Sequence, residues 1–543
     1  MPKRPYYKIA AIILVAFAII TVKLAFIMLS DSNELSKQAF AEKTRCVDYY
    51  QYCRGDIVDC NNRQLTNVVE NCLLVFPTAF DDAGKLAKEL SGILSLPKKQ
   101  IENRLVAGQN GSLEPFVLKT GLSEQQKQLV EAANINGVFV VSLASRYSAY
   151  KYACHLIGIV QQNEKGDYTG VSGLELQYNK YLDDRSSPQI AAYIDVYGNV
   201  SSNSLIYIDD NTNESNKLCL TIDMDYQQIV ERAMANYSGA CVVMDVANGD
   251  VLAAASSPQF DAYGWDTSAE EEVYINKALA LYPPASTFKI LVALSAVEEG
   301  VSLDDNFVCT GSITLENGHI VHCQNEKGHG NINIAQALAK SCNCYFVQLG
   351  IKLGGDTIRK YADLCGLDQQ YLGGYELPKQ THFDFNSKVE GDVANVCLGE
   401  KGVRLSPLMV AQLVAVVANG GNHVYPRLVK GVYDSQGQTL LAINSITPQR
   451  VFSEKTASKV ADMMALTVEQ GTAYHLKDAL ISCGGKTGTS EDAGVWFAGF
   501  APLDNPRWAI AVYIENASAG GVEGAEVFHQ AIDDLAVLEG MVS

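Results

Sequence analysis

Apolar positions run almost unbroken from Ile9 to Leu29, interrupted only by Thr21 and Lys23. As a helix rising ~1.5 Å per residue, such a run spans about 31 Å, the thickness of a bilayer's hydrocarbon core. Lys23 sits near the far end, where its long stem lets the ammonium reach the interface. Lys3, Arg4 and Lys8 precede the run. This charge placement predicts a cytoplasmic tail over residues 1–8, a membrane-spanning helix over 9–29, and the bulk of the chain outside the cell. A cleaved secretory signal is the alternative. The run is long for a signal core and no small-x-small cleavage site follows it.

Past the span the pattern changes to shorter periods. CRGDIVDCNNRQLTNVV reads as strand, Asn61-Asn62 turn, strand, and residues to about 215 mix short strands and helices with polar turns. The polar stretch Asn211–Asn216 marks a boundary, giving a first domain over 30–215 and a second over 216–543. In the second, LCLTIDMDYQQIVERAMANY is a strand followed by an amphipathic helix. GACVVMDVANGDVLAAASS is a hairpin turning at Asn248-Gly249. Much later, CGGKTGTSEDAGVWFAGFAPLDNPRWAIAVYIENA supplies three strands with a turn at Asp504-Asn505-Pro506, and an amphipathic helix closes the chain. Strands at both ends of a domain, with helices between and after, predict an α+β fold built on an antiparallel sheet flanked by helices. No internal repeat is present.

Composition narrows the partners. The net charge of −19 excludes a nucleic-acid binder, which needs a basic face for phosphates. Fourteen cysteines in an exported chain raise the question of disulfides. Most are scattered and several lie in apolar runs, as small core residues do. Cys309 and Cys323 bracket a strand–turn–strand segment turning at Asn317-Gly318. They would lie near each other across a hairpin, as a bridge or as free thiols. Cys342-Asn343-Cys344 shows no matching second half, so no zinc site is expected from it.

The candidate chemistry begins at YPPASTFKI. Ser286 and Lys289, three residues apart, fall on one face of a helix that starts after Pro283-Pro284. The bland role for Ser286 is a helix cap. The chemical role is a nucleophile activated by a desolvated lysine. Ser95/Lys98 and Ser148/Lys151 share the spacing, but the first pair encloses Pro97 and the second lacks a helix-start signal. Lys-Thr-Gly also occurs twice. Lys119-Thr120-Gly121 leads into an ordinary cap at Ser123, whereas Lys486-Thr487-Gly488-Thr489 follows Gly484-Gly485 into a strand. Between lies Ser341-Cys342-Asn343. Alone, each is more often a cap or a turn.

In the order Ser286-x-x-Lys289, Ser341-x-Asn343, Lys486-Thr487-Gly488, the motifs resemble those of serine penicillin-recognising enzymes. The chain is similar throughout to class B penicillin-binding proteins. CRGDIVDCNNRQLT resembles the family's Arg-Gly-x-Ile-x-Asp-Arg-Asn-Gly segment, with Cys60 and Asn62 in place of Arg and Gly. GVSGLELQYNKYL, GDVLAAASSPQFD, LSPLMVAQLVAVVANGG and WFAGFAP follow in family order. The resemblance implies a dimerisation-like pedestal carrying a D,D-transpeptidase domain. It implies Ser286 as nucleophile and Lys289 as its base, with Ser341 relaying a proton and Asn343 orienting substrate and lysine. Lys486, Thr487, Gly488 and Thr489 would form the substrate-binding strand, and the N–H groups of Ser286 and Thr489 the oxyanion hole. Peptidoglycan stem peptides would be substrates and β-lactams covalent inhibitors. A membrane-embedded glycan polymerase is the implied partner, with no cofactor and no metal. The rivals are a class D-like β-lactamase, whose Pro-Ala-Ser-Thr-Phe-Lys matches Ala285 better than the transpeptidases' usual glycine, a β-lactam sensor, and a non-catalytic cell-wall scaffold.

Overall fold

A computed structural model describes residues 4–30, 44–48, 54–110, 115–147, 152–162, 168–183, 189–194, 200–208, 215–260, 271–490, 494–517 and 522–542. The chain forms two compact units that interleave in sequence. One holds residues 1–53, 68–146 and 186–213, and the other 54–67, 147–185 and 214–543. The boundary expected near residue 215 is linear, whereas two earlier stretches group with the C-terminal unit.

A single helix covers Arg4–Ser30. The side chains described within it, 7–23, are all exposed. Among the described residues no helix is long and apolar enough to cross a membrane, so the spanning role of residues 9–29 rests on sequence alone.

In the first unit, strand Thr66–Val75 lies between strands Phe116–Lys119 and Val138–Tyr147. Alternation divides its side chains between two cores. Leu73 and Val75 pack with Leu86, Leu90, Leu105 and Val130 of the covering helices. Cys72 and Leu74 pack on the other face with Val141, Leu143 and Ile190. Ser123 caps the helix Glu124–Ala133 reciprocally with Gln126, the ordinary role expected for it. Ser95 ends a helix in a left-handed conformation, out of phase with Lys98. Ser148 and Lys151 lie outside the described residues.

The second unit is built on a five-stranded antiparallel sheet. Helix α1 (Met224–Met234) precedes β1 (Gly239–Asp245) and β2 (Val251–Ser257), the hairpin predicted around Asn248-Gly249. Helices α2 (Lys289–Glu298), α3 (Ile334–Ala339), α4 (Asn343–Leu353), α5 (Pro407–Ala418) and α6 (Glu454–Gln470) follow. Then come β3 (Gly484–Ser490), β4 (Gly494–Ala501), β5 (Trp508–Ile514) and the closing helix α7 (Glu523–Leu538). The strand order is β2-β1-β5-β4-β3, which leaves β3 at an edge. One sheet face gives Val243, Phe497 and Val512 to a core shared with Val230 of α1 and Phe528 and Ile532 of α7. Against the sheet also lies α5, buried from Pro407 to Val417, as its near-continuous apolar run requires. Its one polar interior residue, Gln412, is satisfied by the Cys365 carbonyl at 2.7 Å and by His423 at 2.7 Å.

Two segments singled out in the sequence meet in this unit. The Arg54 guanidinium is fully buried and pairs with Glu175 Oε2 at 2.9 Å. It also donates to Asn179 Oδ1 and to the carbonyls of Tyr168 and Glu175. Strand Asp56–Val58 runs parallel to Lys217–Leu220. The turn after it has Asn62 at φ +62°, a left-handed position where asparagine is the commonest stand-in for glycine.

Candidate active site

The segment carrying Ser286 is held from several sides. Tyr282 pairs with Leu405 in a two-bond antiparallel bridge, and Trp496 Nε1 of β4 donates to the Pro283 carbonyl at 2.9 Å. Residues Ala285–Phe288 form a 3₁₀ turn that runs into α2 at Lys289. Ser286 is therefore not the helix cap. The turn's cap is Pro284 and the helix's is Phe288, neither making a side-chain cap bond. The Lys289 N–H bonds back to the Ser286 carbonyl, which places the two residues one turn apart.

Ala285 adopts φ +49°, a left-handed conformation costing roughly 1–2 kcal/mol for any residue but glycine. Its N–H donates to the Gly399 carbonyl at 2.8 Å. Gly399, at φ +76°, comes so close that a Cβ there would lie 1.9 Å from the Ala285 carbonyl oxygen. Sequence reading missed Gly399. Its signal is a glycine ending the helix Glu390–Leu398, which announces a helix stop and nothing of the Ser286 turn it abuts.

Lys289 is completely buried. Its Nζ donates to Asn343 Oδ1 at 2.7 Å, to the Ser341 carbonyl at 3.1 Å, and to Ser341 Oγ at 3.4 Å. Burial holds its pKa down, to about 8, against the opposing pull of Cys342, Cys323, Glu400 and Cys344. Ser341 sits in the tight link between α3 and α4, at φ +53°, and Asn343 opens α4. The Asn343 amide is oriented by donating to the His322 carbonyl at 3.0 Å.

The third motif lies on edge strand β3. Lys486 is also completely buried, donates to the Thr487 carbonyl at 2.8 Å, and is pushed well below the usual lysine range, first by burial and then by the Lys289 charge. Thr487 Oγ1 shares a 2.5 Å hydrogen bond with Thr472 Oγ1, a second residue sequence reading missed. Gly488 faces the Ser286 turn: a Cβ there would meet Thr287 Cγ2 at 3.3 Å and Ala285 Cβ at 3.4 Å. Thr489 is exposed. Next to it, Ser490 Oγ donates to Glu400 Oε2 at 3.0 Å, tying the strand to the loop that braces Ala285. All eight residues singled out in the sequence thus belong to three elements brought together around the Ser286 turn.

The predicted hairpin is also present, Ser312–Thr314 pairing with Ile320–His322. Cys309 and Cys323 are nonetheless free thiols. The chain leaves the hairpin at Gly311 (φ +99°) and Cys309 pairs instead with Gly330 on another strand, so the two cysteines are not opposed across the turn.

A buried serine, a buried lysine of lowered pKa and an edge strand beside them can carry acyl transfer: a nucleophile, an internal base, and backbone groups for an extended peptide. Comparison with known proteins agrees. Residues 239–533 match the family described as penicillin binding protein transpeptidase domain. Residues 51–205 match the penicillin-binding protein dimerisation domain. Stage V sporulation protein D of Bacillus subtilis is 27% identical over 533 residues, covering 92% of this chain and 80% of the relative. A peptidoglycan D,D-transpeptidase FtsI homolog of Mesostigma viride is 25% identical over 481 residues, covering 80% and 78%. Among solved structures, the D,D-transpeptidase domain of a peptidoglycan glycosyltransferase from Eggerthella lenta shares the fold, with a TM-score of 0.62 and 24% identity over 74% of this chain and 94% of that one.

Proposed function

This chain belongs to the penicillin-binding protein transpeptidase family, and from that premise we propose how its residues carry out D,D-transpeptidation of peptidoglycan stem peptides. Lys289, its pKa lowered by burial to about 8, takes the proton of Ser286 when it is neutral. The Ser286 oxygen attacks the carbonyl of the penultimate D-alanine. The N–H groups of Ser286 and Thr489 hold the resulting oxyanion, each such donor being worth roughly 3–4 kcal/mol in barrier. The intermediate collapses as the peptide bond breaks. The proton passes from Lys289 through Ser341 Oγ to the departing D-alanine amine, leaving an ester on Ser286. An amine from a neighbouring strand then attacks the ester, gives up its proton by the same route, and forms the cross-link. Lys486 and Thr487 hold the terminal carboxylate of the donor peptide, which lies along the free edge of β3. A β-lactam enters by the same attack, its ring amide opening without loss of a fragment, so the ester persists.

The contact of Lys289 Nζ with both Asn343 and Ser341 carries this reading, because it joins motifs that sequence leaves far apart. The test is labelled penicillin with mass mapping of the adduct. A stable adduct on Ser286, absent from Ser286→Ala, is expected. Rapid turnover of the drug would make the chain a β-lactamase, and no adduct would make it a scaffold.

Residues 9–29 we take as a single membrane anchor. The apolar run supports this, as does Thr21, whose hydroxyl is satisfied within the helix by the Phe17 carbonyl at 2.7 Å. The basic residues ahead of the run set the N-terminus in the cytoplasm and the two units outside. There a membrane-embedded glycan polymerase would supply the strands to be linked.

A further inference from the structure

Three thiols and one imidazole converge on a point beside the active site. Cys309, Cys323, His329 and Cys342 each direct one atom into a cluster in which all four lie within 4.8 Å of one another. Cys309 and Cys323 Sγ are 3.6 and 3.5 Å from His329 Nδ1, and Cys323 Sγ is 3.9 Å from Cys342 Sγ. All three cysteines are buried. A disulfide would hold its sulfurs about 2.05 Å apart, roughly half the Cys323–Cys342 separation. For a tetrahedral zinc ion with Zn–S of ~2.3 Å and Zn–N of ~2.1 Å, ligand atoms lie about 3.8 Å apart for two sulfurs and about 3.6 Å for sulfur and nitrogen. The observed separations match both values.

The fold presents these groups deliberately. Cys309 ends strand Phe307–Cys309, opposite Gly330 of strand Gly330–Ile332. His329 stands between Gly328 and Gly330, at φ +76° and +72°, and a Cβ on Gly328 would lie 2.2 Å from the Cys309 carbonyl oxygen. The chain doubles back there so tightly that only glycine fits, and His329 is turned towards Cys309. Cys323 is anchored by donating its N–H to the Gly311 carbonyl at 2.9 Å. Cys342 caps α4, its sulfur accepting from the Tyr345 N–H at 3.4 Å, the kind of outer hydrogen bond that metal-bound thiolates commonly receive. Core thiols packed only as small hydrophobes have no reason to gather a histidine, and three thiols cannot all be satisfied by one bridge.

We propose that Cys309, Cys323, His329 and Cys342 bind a structural zinc ion. Three thiolates and one imidazole in a closed tetrahedron suit zinc rather than magnesium or calcium, which take oxygen ligands. The ion ties the β-ribbon over residues 307–332 to the link between α3 and α4. Cys342 lies between Ser341 and Asn343, the two residues that bind Lys289. The metal therefore fixes the left-handed Ser341 backbone and the Asn343 amide from behind, as a positioning device. The site stands without the acyl-transfer reading; only its effect on catalysis rests on that reading. The metal-free expectation from sequence treated Cys342 without the residues that fold against it.

The full chain, purified without a metal-chelating tag, should carry one zinc per molecule by elemental mass spectrometry. Cys60→Ser should keep it, and Cys323→Ser and His329→Ala should each lose at least nine-tenths of it. Chain grown with cobalt should show thiolate-to-cobalt charge transfer and the intense visible bands of a tetrahedral site, a readout on the wild-type fold itself. Stripping the zinc should slow penicillin labelling of Ser286 about tenfold or more at unchanged circular dichroism, and restored zinc should recover it. Wild type without stoichiometric metal, or with Cys309, Cys323 or Cys342 in a disulfide, overturns the site. Stoichiometric zinc with no Ser286 adduct under any condition overturns the catalytic reading and leaves the site standing.

Discussion

The rate at which Ser286 is acylated should follow the titration of Lys289. With its pKa at about 8, roughly a tenth of Lys289 is neutral at pH 7 and roughly nine-tenths at pH 9. The acylation rate constant, measured at saturating labelled penicillin, should rise about tenfold over that interval and level off above pH 9. A lysine left at its ordinary 10.5 would give about a hundredfold rise over the same interval and no plateau. One other group is displaced nearby. Lys486 is lowered in the same direction, but in the proposed mechanism it holds the carboxylate, so its protonation enters the binding constant and is separated at saturation. The displacement has a cost in stability. The folded pKa lies below the unfolded one, so the penalty is full below pH 8, about 3 kcal/mol for a shift of 2.5 units, and fades as pH rises from 8 to 10.5. Lys289→Met should therefore melt higher than wild type at pH 7 while losing acylation. Stopped-flow acylation with mass confirmation of the Ser286 adduct measures the profile. A flat profile between pH 6 and 10, or a line of unit slope through pH 10, refutes Lys289 as a buried base of lowered pKa.

Three further outcomes test the frame around the site. Gly399→Ala forces a Cβ against the Ala285 carbonyl and strains φ +76°; we expect a loss of at least ~1–3 kcal/mol by thermal melting together with slower acylation, and unchanged values would remove Gly399 as the brace of the nucleophile turn. Glu175→Gln strips the charge opposing fully buried Arg54 and should cost roughly 3–5 kcal/mol in chemical denaturation, whereas Arg54→Met with Glu175→Leu together should cost less than either change alone. Thr472→Val removes the partner of Thr487 Oγ1; it should weaken penicillin binding several-fold with little change in the saturating acylation rate, and the reverse split would place Thr472 in the chemical step.

Much of this protein is written in local pattern. The turns at Asn61-Asn62, Asn248-Gly249, Asn317-Gly318 and Asp504–Pro506 appear where the letters put them, because φ above zero and proline's fixed φ are properties of single residues. Spacing in helical phase likewise sets Ser286 one turn from Lys289, and chain order identifies the transpeptidase motifs. What the chain alone withholds depends on segments remote in sequence packing together. Asn343 reaches Lys289 across fifty-four positions, and Glu175 neutralises Arg54 across more than a hundred. Gly399 matters only because Ala285 is folded onto it. Cys342 is an unpaired letter until two strands and a glycine-flanked histidine close around it. Periodicity records which face of an element is apolar. It carries no term for which distant face will meet it, and the lysine's lowered pKa, the complete burial of Lys289 and Lys486 and the gathering of four metal-ligating atoms all arise at that meeting.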